Sequence, residues 1–162
     1  MYQIGDYVVH NGHGLCSVLD VRTEGFGFYR LETYHNKMLI MMPIDKAPLF
    51  LRPILSKAEI YKALNDSVLL SEEYIKDNKE RKLQFQQLVT SNNIVDTLHL
   101  LKMIYQIIED RKLEKKTLGS FDTQFLQQAE RKLFNEIAVA TGITKEEAQS
   151  VVYERLKSQM VY

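Results

Sequence analysis

An α+β chain in two parts, a small antiparallel barrel followed by an all-helical bundle, is what the sequence predicts, and three observations predict it. Period-2 alternation dominates the first forty-odd residues, through Ile44, interrupted by turn formers such as Asn11-Gly12-His13-Gly14. Near Ser56 the pattern changes, and apolar residues begin to recur in steps of three and four. Beyond that change two Ser/Thr-x-x-Glu boxes, Ser56 to Glu59 and Thr144 to Glu147, mark helix starts.

The strands come first. Tyr7-Val8-Val9-His10 and Leu15 to Val21 flank Asn11-Gly12-His13-Gly14, whose small and αL-tolerant residues suit a tight reversal, so a hairpin is expected here. A third run, Phe26 to His35, and a fourth, Lys37 to Ile44, follow Glu24-Gly25 and surround Asn36, and Pro43 keeps the fourth from being a long central strand. Four strands joined by short turns make a Tudor/SH3-like β-barrel over residues 1–55. In the third strand Tyr29 and Leu31 point inward and Phe28 outward; in the fourth, Met38, Ile40 and Met42 share one face and Leu39 and Met41 the other. Apolar residues on both faces of a strand require a second cover, supplied by the rest of this chain or by another protein.

The helices follow. Ser56 opens a short helix carrying Ile60, Ala63 and Leu64 that ends near Asn65-Asp66 and, with residues up to 70, connects the two parts. Residues 71–162 form the helical part. Ser71, with Glu72 and Glu73 in the first turn, opens a helix bearing Ile75, Leu83 and Leu88, broken by Thr90 to Asn93. Asn93 caps the next helix, in which Ile94, Leu98, Leu101, Tyr105 and Ile108 form a seam with His99 packed beside it. A helix from about Asp122 to Thr141 aligns Leu126, Ala129, Leu133, Ile137 and Ala140 and stops at Gly142. Thr144 opens the last, with Ala148, Val151, Val152 and Leu156 inward.

Composition narrows the function. The 162 residues are 45% hydrophobic and 26% charged, ordinary for a folded domain, and long enough for one good core or two small ones. No signal-peptide pattern or membrane-length apolar run is present, and the lone Cys16 rules out an internal disulfide framework, so a cytoplasmic protein with no membrane partner is expected. The 21 basic and 21 acidic residues cancel, whereas free-standing nucleic-acid binders usually carry a basic excess. Two basic clusters stand out, Lys76, Lys79, Arg81 and Lys82, and then Arg111, Lys112, Lys115 and Lys116; each reads either as a solvated helix face or as a phosphate-contacting surface.

No catalytic, cofactor or metal site is expected. The adjacent pairs Glu72-Glu73, Glu109-Asp110 and Glu146-Glu147 diverge by about 100° on a helix and cannot act on one substrate as acid and base. No nucleophile has an activating context, and the Gly12 to Gly14 turn lacks the Gly-Lys-Ser/Thr of a phosphate loop. His10, His13 and Cys16 lie close together but lack a fourth ligand, so the histidines are assigned to turn backbone groups and Cys16 to packing.

Gly5-Asp6-Tyr7-Val8-Val9-His10, then His13-Gly14, then Met41-Met42-Pro43-Ile44 with Asp45-Lys46-Ala47, and finally Leu51-Arg52-Pro53-Ile54 together resemble the N-terminal module of the CarD/CdnL family of bacterial transcription regulators. Transcription-repair coupling factors share that module. A second stretch, Leu118, Phe125-Leu126, Ala129, Leu133 and Glu136-Ile137-Ala138, resembles the family's last helical block. The resemblance implies a partner, the RNA polymerase β subunit, bound by the barrel through Arg22, Glu24, Phe26, Phe28, Leu39 and Met41. Among these, Glu24 and Met41 stand where family members carry basic side chains. It also implies promoter DNA as a second partner, met weakly and only with polymerase at the upstream edge of the transcription bubble, through Lys76, Asn78, Lys79, Arg81, Lys82, Arg111, Lys115 and Lys116. The tryptophan that acts as a wedge in the family is missing; its position falls near Asp77 or Asn78, with Tyr74 and Phe85 as the nearest substitutes. The implied function is control of open-complex stability. The alternatives are a polymerase- or protein-binding adaptor that does not touch DNA, and an RNA-binding module of the same barrel type.

Overall fold

The computed structural model describes residues 1–66 and 73–159. Five short strands form one antiparallel sheet: β1 (Tyr7–His10), β2 (Gly14–Arg22), β3 (Phe28–Thr33), β4 (Leu39–Pro43) and β5 (Leu51–Pro53), in the order β4-β3-β2-β1-β5. The sequence reading had four strands. The fifth, β5, is made by tertiary pairing, His10 facing Leu51 and Val8 facing Pro53. The one-turn helix α1 (Ala47–Phe50) turns the chain back from β4 to that edge. Val8, Cys16, Val18, Tyr29, Leu31, Met42, Ala47 and Leu51 make the inner core of the sheet, with Tyr29 and Leu31 inward as the alternation requires.

The remaining described helices are α2 (Lys57–Asp66), α3 (Asn78–Thr90), α4 (Ile94–Leu113), α5 (Ser120–Thr141) and α6 (Lys145–Lys157). The capping boxes close as their residue types demand. Glu59 N–H donates to Ser56 Oγ at 3.1 Å while Ser56 N–H donates to a Glu59 carboxylate oxygen at 3.2 Å, and Glu147 N–H donates to Thr144 Oγ1 at 3.0 Å. Gly142 ends α5 with φ +76°, the left-handed conformation that favours glycine. Ile60, Ala63 and Leu64 of α2 lie in the same apolar core as α3 to α6, so this segment packs as a member of the helical bundle rather than as a free connector.

Two helix expectations need correction. Ser71 and Glu72 lie outside the described residues, and residues 73–77 are not helical; α3 starts at Asn78 with Asp77 as its cap. The reason is Arg81, whose Nη1 takes the carbonyls of Ile75 and Lys76 at 3.3 and 3.0 Å and so holds these residues off the helical path. Val151, expected to point inward, is exposed, and so is Leu83 on α3. In α4 the burial is wider than a seam: Leu100, Met103, Ile104 and Ile107 join Leu98, Leu101 and Tyr105, because α2, α3, α5 and α6 all pack around this helix.

Sheet and bundle meet along a polar seam. Arg52 of β5 donates both terminal nitrogens to the Glu136 carboxylate on α5, each at 2.6 Å, and Glu136 accepts Leu55 N–H at 3.0 Å as well. Asn92, between α3 and α4, receives Arg52 Nε on its carbonyl and sends its amide to the carbonyls of Val9 and Phe50 at 2.9 and 3.1 Å. Lys132 Nζ donates to the carbonyls of Asn11, Val89 and Ser91 at 3.1, 3.2 and 2.9 Å, binding hairpin, α3 and α5 together. Gly14 lies directly on α5: a Cβ there would sit 3.5 Å from Lys132 Cα, and its φ of +76° suits no other residue as well.

Candidate docking surface and basic segments

The outer face of β3 and β4 follows from strand alternation. Once Tyr29, Leu31 and Thr33 turn in, Phe28, Arg30 and Glu32 turn out, and the register sets Phe28 beside Pro43, Arg30 beside Met41 and Glu32 beside Leu39. Leu39 is 57% exposed, Met41 55% and Phe26, in the β2–β3 turn, 99%. Phe26 and Met41 border an open cleft of about 860 Å³, whose apolar wall they form with Met1, Phe28, Pro43 and Ile44 and whose polar rim includes Thr23, Asp45 and Lys46. The floor is held by Gly27, whose carbonyl accepts Ile44 N–H at 3.0 Å and whose missing side chain leaves room for the Ile44 Cδ1 atom.

Of the six residues assigned to polymerase, Phe26, Phe28 and Met41 line this cleft, and Leu39 continues the same face. Arg22 and Glu24 stand exposed at its end; Arg22 Nε meets Asp20 at 2.9 Å, which partly neutralises it. Sequence reasoning missed Pro43 and Ile44 as cleft residues, although Pro43 had been read as a strand terminator. β4 is also an edge strand, with one row of backbone groups unpaired in the sheet, a means by which another protein's strand can be recruited.

The basic segments divide differently. Arg81 is not a DNA-facing residue: its guanidinium is buried, with Nε and Nη2 on the Asp122 carboxylate at 3.1 and 3.0 Å and the Phe121 ring 4.8 Å away. Asn78 is also engaged, its Oδ1 accepting from Arg81 at 3.0 Å. Lys76, Lys79 and Lys82 remain exposed. At the end of α4, Arg111 Nε donates to the Thr117 carbonyl and closes the turn; Lys115 is exposed, and Lys116 pairs with Glu114 at 3.5 Å. Tyr74 donates its hydroxyl to Asp110 at 2.6 Å, which sets the segment before α3 beside the end of α4 and gathers both basic clusters at one end of the bundle. Burial, then that bond to Asp110, pushes the Tyr74 phenol up to about 12. Phe85 is fully buried and excluded as a wedge, and Tyr74 is tethered.

The histidines serve the turn. His10 Nδ1 accepts the N–H groups of Gly12 and His13 at 3.0 and 3.2 Å, and burial, with the nearby His13 and Lys132, holds its pKa down to about 4. Cys16 is buried, its thiol 3.5 Å from the Gly14 carbonyl, and burial raises its pKa to about 12, so it is an inert packing residue. His99 is buried in α4 with Nε2 unpartnered. Among the described residues no helix is long and apolar enough to cross a membrane.

Comparison with known families bears on the sheet. The model of the CarD-like/TRCF RID domain matches residues 2–55, from the residue that packs on Tyr29 to just past β5. Residues 2–55 form a CarD-like/TRCF RID domain. Domains of this family interact with the RNA polymerase β subunit, so the chain carries a polymerase-interacting, transcription-related module. The apolar cleft, Leu39 and the β4 edge all belong to the RID domain, whereas α2 to α6 lie outside the matched residues. No curated protein matches the chain.

Proposed function

We propose that this protein is a non-enzymatic transcription regulator that docks its RID domain on the β subunit through Phe26, Phe28, Leu39 and Met41 and presents its helical end to promoter DNA at the upstream edge of the bubble, tuning open-complex stability. The observation that carries the docking half is Phe26, 99% exposed beside an apolar cleft on a domain of polymerase-interacting type. A solvent-facing phenyl ring lining the same cleft as Met41 belongs to neither of this chain's own apolar cores, and burial of such a patch by a partner is favourable. Met41→Asp places a charge at the middle of that patch, and we expect capture of polymerase to fall by a few kcal/mol, roughly a hundredfold, with the fold intact. Undiminished capture by the folded variant sinks the assignment.

Lys76, Lys79, Lys82 and Lys115 are the basic side chains left free to meet phosphate once Arg81 is committed to Asp122. A few phosphate contacts on a chain of zero net charge give weak, salt-dependent and sequence-tolerant binding. The expected results are no measurable binding to free DNA at physiological salt and less open-complex stabilisation than a tryptophan-bearing relative gives, read from open-complex dissociation rates. The buried Arg81 and the lack of an exposed aromatic wedge near Asp77 also favour a second reading, a polymerase adaptor without DNA contact. An open-complex lifetime unchanged by saturating protein that still captures polymerase selects that reading.

A further inference from the structure

A second concave site lies between the two halves of the molecule, away from the apolar cleft. It is a pocket of about 90 Å³ walled by the Asn11 to Gly14 turn, by Thr33, His35 and Asn36 around the β3–β4 turn, by Val89 and Thr90 of α3, and by Gln128, Arg131 and Lys132 of α5. Its wall holds two histidines, an arginine and a lysine and not one carboxylate. Lys132 Nζ is spent on three carbonyls, but Arg131, one residue on and turned about 100° from it, has no hydrogen-bond or ion-pair partner among the described residues. Asn36 accepts the Thr33 hydroxyl on its carbonyl oxygen, which leaves its amide N–H groups to donate. The pocket is far smaller than the ~300 Å³ of a site for a drug-sized ligand and suits a compact ion.

We infer that this pocket is a binding site for a phosphate-class oxyanion, held by Arg131, His13, His35 and the Asn36 amide across the seam between the RID domain and α5. The local field agrees with the geometry: burial, then Arg131 and Lys145, keep His35 below its ordinary pKa, and the same kind of positive surroundings act on His10. An oxyanion offers acceptors to donors that have none, and a guanidinium is the side chain whose donor fork fits one best. Because the pocket is built by two β-turns on one side and α5 on the other, the bound ion fastens the same two halves that Arg52 and Glu136 fasten.

The probe is inorganic phosphate, titrated into the whole protein at constant ionic strength against chloride, followed by calorimetry and by amide resonances. The expected result is saturable binding that shifts the amides of Gly12, His13, His35 and Asn36, raises the His35 pKa, and is weakened about tenfold or more by Arg131→Ala but not by Lys157→Ala. Arg131 is a partly exposed residue with no structural bond, so its variant folds. Competition by a short DNA duplex identifies the source: displacement of phosphate points to a backbone phosphodiester, and undisturbed phosphate to a free ion. Shifts that do not saturate, that chloride reproduces, or that Arg131→Ala leaves unchanged overturn the assignment.

Discussion

The two sides of the RID domain treat their contacts in opposite ways. Where the sheet meets its own helices the contact is polar and directional, built from Arg52, Glu136, Asn92 and Lys132 with nearly every donor matched to an acceptor. Where the sheet turns away from them, large apolar side chains at Phe26, Leu39 and Met41 stand exposed beside Arg30 and Glu32, and the Glu32–Lys37 pair at 3.8 Å is a loose, solvent-facing one. A permanent seam can afford buried charge, because its partners are always present and the geometry fixes one arrangement. Apolar side chains left bare cost free energy that a covering partner would return, and it is on this face that the proposed docking rests.

That contrast is broken most severely at Glu136. Its side chain is 2% exposed and Arg52's is 18% exposed, so Glu136→Leu leaves a guanidinium and the Leu55 N–H facing an apolar group. The expected loss is on the order of 3 kcal/mol in denaturant unfolding, with most of it returned when Arg52→Met is added. If the single variant loses less than a kcal/mol, the seam is not what fastens the halves.

The next effect down is at Gly14, where the left-handed conformation, rather than the ordinary van der Waals contact with Lys132, resists a side chain. Gly14→Ala forces a Cβ into a φ of +76° and should cost about 1–2 kcal/mol in the same measurement. An unchanged midpoint would show that the hairpin has room to rotate away from α5. The smallest effect on stability belongs to the other side: Phe26→Ser should shift unfolding by no more than about 0.5 kcal/mol while weakening polymerase capture. Loss of stability there would mean that Phe26 packs against its own chain.

What the sequence determined by itself is what neighbouring residues decide among themselves. The β1–β2 reversal at Asn11 to Gly14, the inward row Tyr29 and Leu31, the boxes at Ser56 and Thr144, the αL stop at Gly142 and the apolar stripe of α5 each depend on backbone conformation or period over a few positions. The outward apolar residues were legible for the same reason, since alternation that fixes one face fixes the other. The RID-domain motif was legible too, as an ordered set of glycines, Pro43 and Arg52. Tertiary structure decided the rest. Arg81 looks like its lysine neighbours until Asp122, 41 residues on, arrives to bury it, and nothing in the local pattern separates a guanidinium awaiting a carboxylate from one awaiting phosphate. The fifth strand is three residues whose pairing with β1 comes only after α1 turns the chain back. Arg52 and Glu136 are 84 residues apart, and Arg131, His13 and His35 reach one pocket from three elements. Local pattern sets which way each side chain points from its own backbone; the packing of sheet on helices sets what it finds there.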